Sequence, residues 1–379
     1  MAVLHFAVER HMDRIARMMS MAPMAARRAN LLKKGDRTLT GQVVDDSPAV
    51  KVMEAAIRKA GAKTLAEPGD RPGRRRSVAR LMAGRGMSVA VLGAGRPGDD
   101  ISERAGSVAL VLRRDRVRLY APGAESGQGT DTGLLQVLCD RLGLPSDQLE
   151  IRARDTDRVG ADGPFLGSRG LSRGAPVVAK VADALAAAVA EELKLYGDFS
   201  ALVHQRRTSR KLQVSASFDD IDPLEWDAIH RTGDAYRDRT WHCAVVDVVV
   251  DADTGEVIVR RVVTATDAGR VVHGKLARGQ IEGGVVMALG GALSERVGLD
   301  ERGAFRAADF RDAGIFSSQE APRKDTLLLK ADADEPTRGL GEIGALACAA
   351  ALAQAIEDAT GGVLDTLPMA PEDVLQAIP

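Results

Sequence analysis

The chain has 379 residues and a formal net charge of −1, with 52 Lys+Arg against 53 Asp+Glu. That balance draws it neither to nucleic acid nor to an anionic membrane surface. Hydrophobic residues are 45% of the chain and aromatics 3%, so its cores must be built mainly from Ala, Val and Leu, and the length allows one large domain or two to three smaller ones.

From the N-terminus, Leu4, Val8, Met12, Ile15 and Met19 recur at helical spacing, with Glu9, Asp13, Arg14 and Arg17 on the other side. A short basic helix and a Gly-Asp turn follow in ARRANLLKKGDRTLTG, then a second helix at about 48–60. EPGDRPGRRRS (67–77) reads as an exposed linker; its arginine run could instead be a nucleic-acid patch, but the rest of the chain is charge-balanced. Two β-type runs start at Met87 and Ser107, and a helix is expected at 133–142. LEIRARDTD is strand-like, and Pro176 is expected to open a long helix. Residues 216–238 lack a period and read as a surface connection. WHCAVVDVVVD and EVIVRRVVTATD then flank Asp251–Gly255 as a hairpin. The DxDxG turn lacks the later ligands of a calcium loop. A glycine-punctuated helix, a strand DTLLLKAD and a C-terminal helix at about 345–359, stopped by Gly361-Gly362, complete the chain.

The three cysteines, Cys139, Cys243 and Cys348, are far apart, and no CxxC occurs. They form no disulfide framework and no zinc or iron–sulfur ligand set. Cys348, within an alanine run, reads as a small buried filler. No stretch approaches the roughly 20 apolar residues of a membrane span. MAVLHFAVERHM lacks a basic n-region and is not read as a signal peptide. A cytoplasmic setting is expected, with no membrane and no nucleic acid as partner.

Gly93–Gly98 matches GxGxxG after a β-run, the basis for a nicotinamide-dehydrogenase reading. Pro97 and the polar DDISERAGS do not make a crossover helix, so a hairpin-type loop is the better reading. Four other glycine-rich stretches are of more interest: Gly127–Thr130 (GQGT), Gly167–Arg169 (GSR), Gly279–Gly284 (GQIEGG) and Gly341-Glu342. Each joins backbone-exposing glycine to hydrogen-bonding side chains before a helix. Singly, each is an ordinary turn; together they could converge on a polar, phosphate-bearing cofactor. Glu342 follows two tight glycines and opens an apolar helix, so it is either a helix cap or a positioned general base.

These four motifs, in this order and with their flanks, resemble the molybdopterin-binding subunit of the xanthine dehydrogenase and aldehyde oxidase family. TGEVIVRRVVTATDAGRVVHGKLARGQIEGGVVMALGGALSE and GLGEIGALACAAALAQAIEDATGG carry the resemblance, as do ESGQGTDTGLLQVLCDRLGLP and DTDRVGADGPFLGSRGLSRGAP. ERHMDRIAR and ARRANLLKKGDRTLTGQVV look like a point near the middle of the family's usual large subunit. The likeness is to its C-terminal half, as in the split medium subunit of nicotinate dehydrogenase-type enzymes.

The resemblance implies an α+β, two-layer molybdenum cofactor-binding fold with two similar subdomains, lacking the family's N-terminal half. The divisions expected are 1–78 (helical segment and linker), 79–215 (one cofactor-binding subdomain) and 216–379 (a second, carrying Glu342). The cofactor implied is molybdenum–molybdopterin, the cytosine dinucleotide form among the candidates. Its dithiolene, not protein side chains, would hold the metal. Gln128, Gly129, Thr130, Gly167, Ser168, Arg169, Gln280, Gly283 and Gly341 would bind the cofactor, and Glu342 would be the general base. The reaction implied is oxidative hydroxylation of an N-heterocycle or aldehyde with oxygen from water. Electrons would leave through [2Fe-2S] and FAD subunits, and a complementary molybdopterin-binding chain would complete the site. A non-catalytic, partner-binding half is the alternative. Two departures from the family pattern are His273-Gly274 in place of Asn-Pro and Arg338 where lysine is often found.

Overall fold

The valine-rich runs at 239–267 pair as the hairpin their composition and turn predict. They form the spine of a sheet buried on both faces. The computed structural model describes residues 2–61, 80–98, 107–113, 115–152, 166–205, 211–217, 224–306, 309–332 and 334–379. The expected linker at 67–77 and the polar stretch at 99–106 lie outside the described residues.

Three helices come first, α1 (Ala2–Met18), α2 (Pro23–Asn30) and α3 (Ala49–Ala60), followed by strand β1 (Leu81–Gly93). Next are β2 (Ser107–Leu112), β3 (Val117–Tyr120), α4 (Thr130–Leu142) and β4 (Leu149–Ile151). After them come α5 (Gly170–Ala188), α6 (Ala190–Tyr196), α7 (Phe199–Gln205) and β5 (Leu212–Ser217). Two short strands, β6 (Trp226–Asp227) and β7 (Thr232–Gly233), lie within the expected surface connection. The remainder is β8 (Arg239–Asp251), β9 (Val257–Asp267), α8 (Gly274–Leu293), β10 (Arg323–Leu328), α9 (Ile343–Leu346), α10 (Cys348–Thr360) and α11 (Pro371–Ala377). Helix α5 starts at Gly170, ahead of Pro176, which sits inside it. The GSR turn therefore leads directly into this helix.

The strands form two four-stranded sheets, ordered β1-β8-β9-β10 and β5-β2-β3-β4. Taken in that direction, both run antiparallel, antiparallel, parallel. A parallel pair needs a crossover. Helix α8 supplies it between β9 and β10, and α4 between β3 and β4. The parallel edge strand of each sheet then leads into further helices, α9 and α10 after β10 and α5 to α7 after β4, and β5 returns to the opposite edge of the second sheet. The chain thus contains two similar α+β halves. Strand β1 breaks the sequence order. Sequence grouping puts it with β2 in 79–215, yet it pairs along its length with β8 in the other sheet. The Gly93–Gly98 loop is accordingly no hairpin turn between β1 and β2.

Even-numbered residues of β8 (Ala244, Val246, Val248, Val250) enter the core with α8 and α10, whereas Cys243 and Val245 pack with α3. Burial on both faces explains the unbroken apolar run. Low aromatic content has a geometric counterpart here. A Cβ at Gly84 or Gly86 of β1 would overlap the carbonyl oxygen of Ala355 or Ala351 of α10, so this alanine helix lies flush on the strand. Ile343–Thr360 is apolar and long enough to pass as a membrane span, but 83% of it is buried, as a core helix is. Burial pushes the Cys348 thiol up to about 12, in keeping with an inert filler.

Helix α1 is turned opposite to the usual amphipathic arrangement. Leu4 is 70%, Val8 53% and Met19 63% exposed, while Glu9, Arg10 and Asp13 are buried. The buried charges form a network. Arg27 bonds Glu9 (2.8 Å) and Asp13 (2.8 Å), and Arg10 bonds Asp13 (3.0 Å) and Glu357 of α10 (2.7 Å). Glu9 also accepts from the Val89 N–H of β1 at 3.2 Å. Removing one member of such a buried set costs about 3–5 kcal/mol. The helix is therefore held with its apolar ridge outward.

Helices α8 and α9 cross at glycine. A Cβ on Gly284 would lie 2.9 Å from the Ala345 nitrogen, and one on Gly344 would overlap the Ile281 carbonyl. This contact holds α8, which carries Gln280, against α9, which Glu342 precedes. Gly344→Ala should lower stability by about 1–3 kcal/mol in chemical denaturation. Gly279→Ala, which meets open space on the same α8, should gain up to about 1 kcal/mol. Equal stability for both variants would contradict the crossing.

His242 is fully buried and donates to or accepts from Thr266 Oγ1 at 2.8 Å. Desolvation first, then repulsion from His5, lowers its pKa from 6.5 to about 3. The unfolded chain therefore binds the proton first as pH falls. His242 supports the fold above pH 6.5, and that support is lost progressively between 6.5 and about 3, at up to roughly 1.4 kcal/mol per pH unit. Denaturation curves from pH 6.5 to 4.5 should have a shallower stability slope in His242→Gln than in the parent; identical slopes would exclude the assignment.

Candidate functional site

A cavity of about 470 Å³ opens between the two halves, within the range of small-molecule cofactor sites. Four segments line it: 124–133, 166–171, 268–280 and 337–342. They are equivalent in pairs. The first follows β3 and enters α4, as the third follows β9 and enters α8. The second enters α5, as the fourth enters α9. Of the four stretches singled out from sequence, three are turns that meet at the cavity; GQIEGG, expected to run into a helix, instead lies inside α8 (Gly274–Leu293) and contributes Gln280 alone.

The second and fourth segments touch across the cavity. Ser168 Oγ donates to Glu342 Oε2 at 2.9 Å and accepts from the Glu342 N–H at 3.0 Å. One hydroxyl can do both, having one hydrogen and two lone pairs. Ser168 has φ +64°, uncommon outside glycine. A Cβ at Gly339 would stand 2.7 Å from the Ser168 carbonyl oxygen, and one at Gly341 would stand 3.2 Å from its Oγ. The GxG before Glu342 thus admits the serine turn. Gly95 backs that turn from behind, its N–H donating to Gly167 O at 2.7 Å. This is the observed part played by the GxGxxG loop, and pairing of β1 with β8 is what brings it there. Thr240 Oγ1 of β8 donates to Gly339 O at 2.6 Å and fixes the other side.

The GQGT turn differs from expectation. Its backbone donors face a side chain of their own loop. Glu125 Oε1 accepts from Gly127 N–H and Gly129 N–H, both at 2.8 Å, and Oε2 from Asp131 N–H at 3.1 Å. A carboxylate at a helix N-terminus is well placed electrostatically. Gln128 is similarly engaged: its Oε1 accepts from Ser126 N–H (2.7 Å) and Oγ (3.0 Å), and its Nε2 donates to Ala124 O (2.6 Å). Gln128, Gly129 and Thr130 line the cavity, with Gln128 braced by its own loop. Glu125, two residues before the motif's first glycine, was the signal for this.

On the third segment His273 caps α8, its Nδ1 accepting from Leu276 N–H at 3.3 Å. Gln280 lines the cavity, and among the described residues no protein group bonds its amide. Gly283 does not line it. It lies nearly one turn further along α8 than Gln280 and meets nothing within 4 Å, while Gly284 packs on α9. Sequence reading did not mark Arg270 or Thr337 and noted His273 only as a departure from the family pattern; all three line the cavity. Arg338 lines it too, with its charge met by Asp267 and by Glu335 at 3.2 Å.

Among the described lining residues Glu342 is the one carboxylate, set against Arg169, Arg270 and Arg338. Gln280, Ser126 and Thr337 add neutral hydrogen-bonding groups. This donor-rich, glycine-walled hollow fits a polar, phosphate-bearing group such as molybdopterin.

Comparison with known proteins agrees. Residues 63–322 match the sequence pattern of the molybdopterin cofactor-binding domain. The gamma subunit of the 6-hydroxypseudooxynicotine dehydrogenase complex of Paenarthrobacter nicotinovorans is 30% identical over 291 residues, 70% of this chain and 36% of that protein. A probable xanthine dehydrogenase subunit of Bacillus subtilis is 27% identical over 398 residues, 98% of this chain and 51% of that protein. Aldehyde oxidoreductase from Desulfovibrio desulfuricans superposes with TM-score 0.80 at 23% identity, over 99% of this chain and 40% of that one. Quinoline 2-oxidoreductase from Pseudomonas putida gives 0.78 at 20%, over 99% and 51%. The structural likeness speaks for the fold, and the chain spans between 36% and 51% of these relatives' lengths. The chain belongs to the molybdopterin cofactor-binding family, among the molybdenum-binding subunits of the xanthine dehydrogenase and aldehyde oxidoreductase type.

Proposed function

We propose that this molybdopterin-binding chain works in a molybdenum hydroxylase heteromer that hydroxylates an N-heterocycle or aldehyde, with Glu342 as general base. The observation that carries the reading is the one carboxylate among the described lining residues, Glu342, held at the wall of a cavity made by three glycine turns and helix α8. Bound there, the cofactor would supply the redox centre that accepts two electrons from the substrate during insertion of a water-derived oxygen. Gln280, with its amide unspent, would orient the cofactor. Arg169 and the Gly167 and Ser168 turn would hold its polar edge at the head of α5. The Gln128, Gly129 and Thr130 loop and Gly341 would shape the walls.

Glu342 has the geometry of a base. Ser168 fixes Oε2. Among the described residues Oε1 has no protein partner, so it is left to accept a proton. General-base assistance is typically worth about 10²–10⁴ in rate.

The outward ridge of Leu4, Val8 and Met19 supports a partner chain. An apolar face locked outward by a buried ionic network is what a complementary molybdopterin-binding chain would cover. Iron–sulfur and FAD subunits would carry electrons onward.

In the assembled complex, Glu342→Gln should keep molybdenum near one per complex and lower turnover at least about 10²-fold. Parent-level turnover would favour the reading of a structural half. Expressed alone, the chain should aggregate. Adding Leu4→Glu and Val8→Glu should restore solubility, and a monodisperse parent monomer would count against the covered ridge.

A further inference from the structure

We propose that Ser168 is a positioning residue for Glu342: a latch across the two halves that holds the carboxylate in its working orientation. The inference rests on the reading of Glu342 as base and adds how that base is aimed. The expectation from family resemblance, by contrast, is that Ser168 contacts the cofactor.

Three features single out the latch. First, the contact is reciprocal. The hydroxyl donates to Oε2 (2.9 Å) and accepts from the N–H of the same residue (3.0 Å). Side chain and backbone of Glu342 are thus fixed by one atom, and Oε1 is the carboxylate oxygen left over. Second, the latch demands an unusual backbone. Ser168 holds φ +64° after Gly167 at +65°. Serine at such an angle costs free energy that glycine would not, so the hydroxyl rather than the backbone path accounts for a side chain there. Third, the neighbours leave room for this residue alone. Cβ atoms at Gly339 and Gly341 would crowd its carbonyl oxygen and its Oγ, and one at Gly167 would press on Gly95 O at 2.7 Å. Glycines on both sides allow the two turns to meet at hydrogen-bonding distance.

A hydroxyl engaged in both directions with Glu342 retains only one acceptor lone pair for anything else. Ser168 therefore serves the carboxylate before it serves a ligand.

The test compares Ser168→Ala and Ser168→Gly in the assembled complex. Glycine relieves the left-handed strain and alanine keeps it, while both remove Oγ. Hydrogen–deuterium exchange at the Glu342 amide should accelerate at least about tenfold in both, because that N–H loses its acceptor. Molybdenum content should match the parent. With whichever of quinoline, nicotine and benzaldehyde the parent oxidises fastest, kcat should fall roughly tenfold or more at a KM within about twofold. In a Glu342→Gln background the same substitutions should change kcat by less than about twofold, since the latch acts only through the carboxylate. Unchanged exchange, loss of molybdenum, or a full kcat penalty that persists without Glu342 would each overturn the latch. Faster exchange with a fully active Glu342→Gln enzyme would instead leave the latch in place and remove the base.

Discussion

The approach of two glycine-flanked turns, one from each half of the chain, is the constraint on which the site depends. Gly167 can back onto Gly95, and Gly339 onto the Ser168 carbonyl, only because none of these positions carries a side chain where they meet. Given that approach, the hydroxyl reaches the carboxylate, the N-termini of α5 and α9 face a common hollow, and Arg169 and Glu342 share one cavity. A methyl group at Gly167 or Gly339 would push the two turns apart by a few tenths of an ångström or more. The site therefore lies between the halves, and neither sheet alone contains it.

The duplication explains why motifs far apart in the chain belong together. Each half repeats the same pairing order, with one crossover helix and one following helix. Each therefore offers two helix N-termini at its strand ends, and facing halves offer four. The pairs have diverged chemically. In one half Glu125 fills the backbone donors of the GQGT turn and Gln128 braces it. In the other, the Gln280 amide is uncommitted, and the turn before α9 carries the acid. One half offers a loop braced by its own side chains, and the other the uncommitted amide and the carboxylate.

Much of this was legible in sequence, for local reasons. Glycine beside a polar side chain ahead of an apolar helix marks a turn whatever the tertiary context, so the GQGT, GSR and GxGE turns were found, along with the valine hairpin and α10; GQIEGG carries the same local signal but lies inside α8. What escaped depended on contacts between distant residues. Strand β1 reads equally well beside β2 or β8, since pairing is not encoded in one strand's pattern. Helical periodicity identified the apolar stripe of α1 but not which side the protein would cover; that was settled by Arg27 of the next helix and by Glu357 of α10, remote in sequence. Gly283 was counted with Gln280 because they share a motif, although it lies nearly one turn further along α8, beyond the cavity wall. The engagement of Ser168 with Glu342 could not be read at all, because 174 residues separate them.

The most direct test of the central claim is anomalous scattering at the molybdenum edge from crystals of the assembled complex. The account predicts a single strong peak in the cavity between Gln280, Arg169 and Glu342, with the Glu342 side chain turned towards it. A peak outside that cavity, or a Glu342 directed away from the metal, would contradict it.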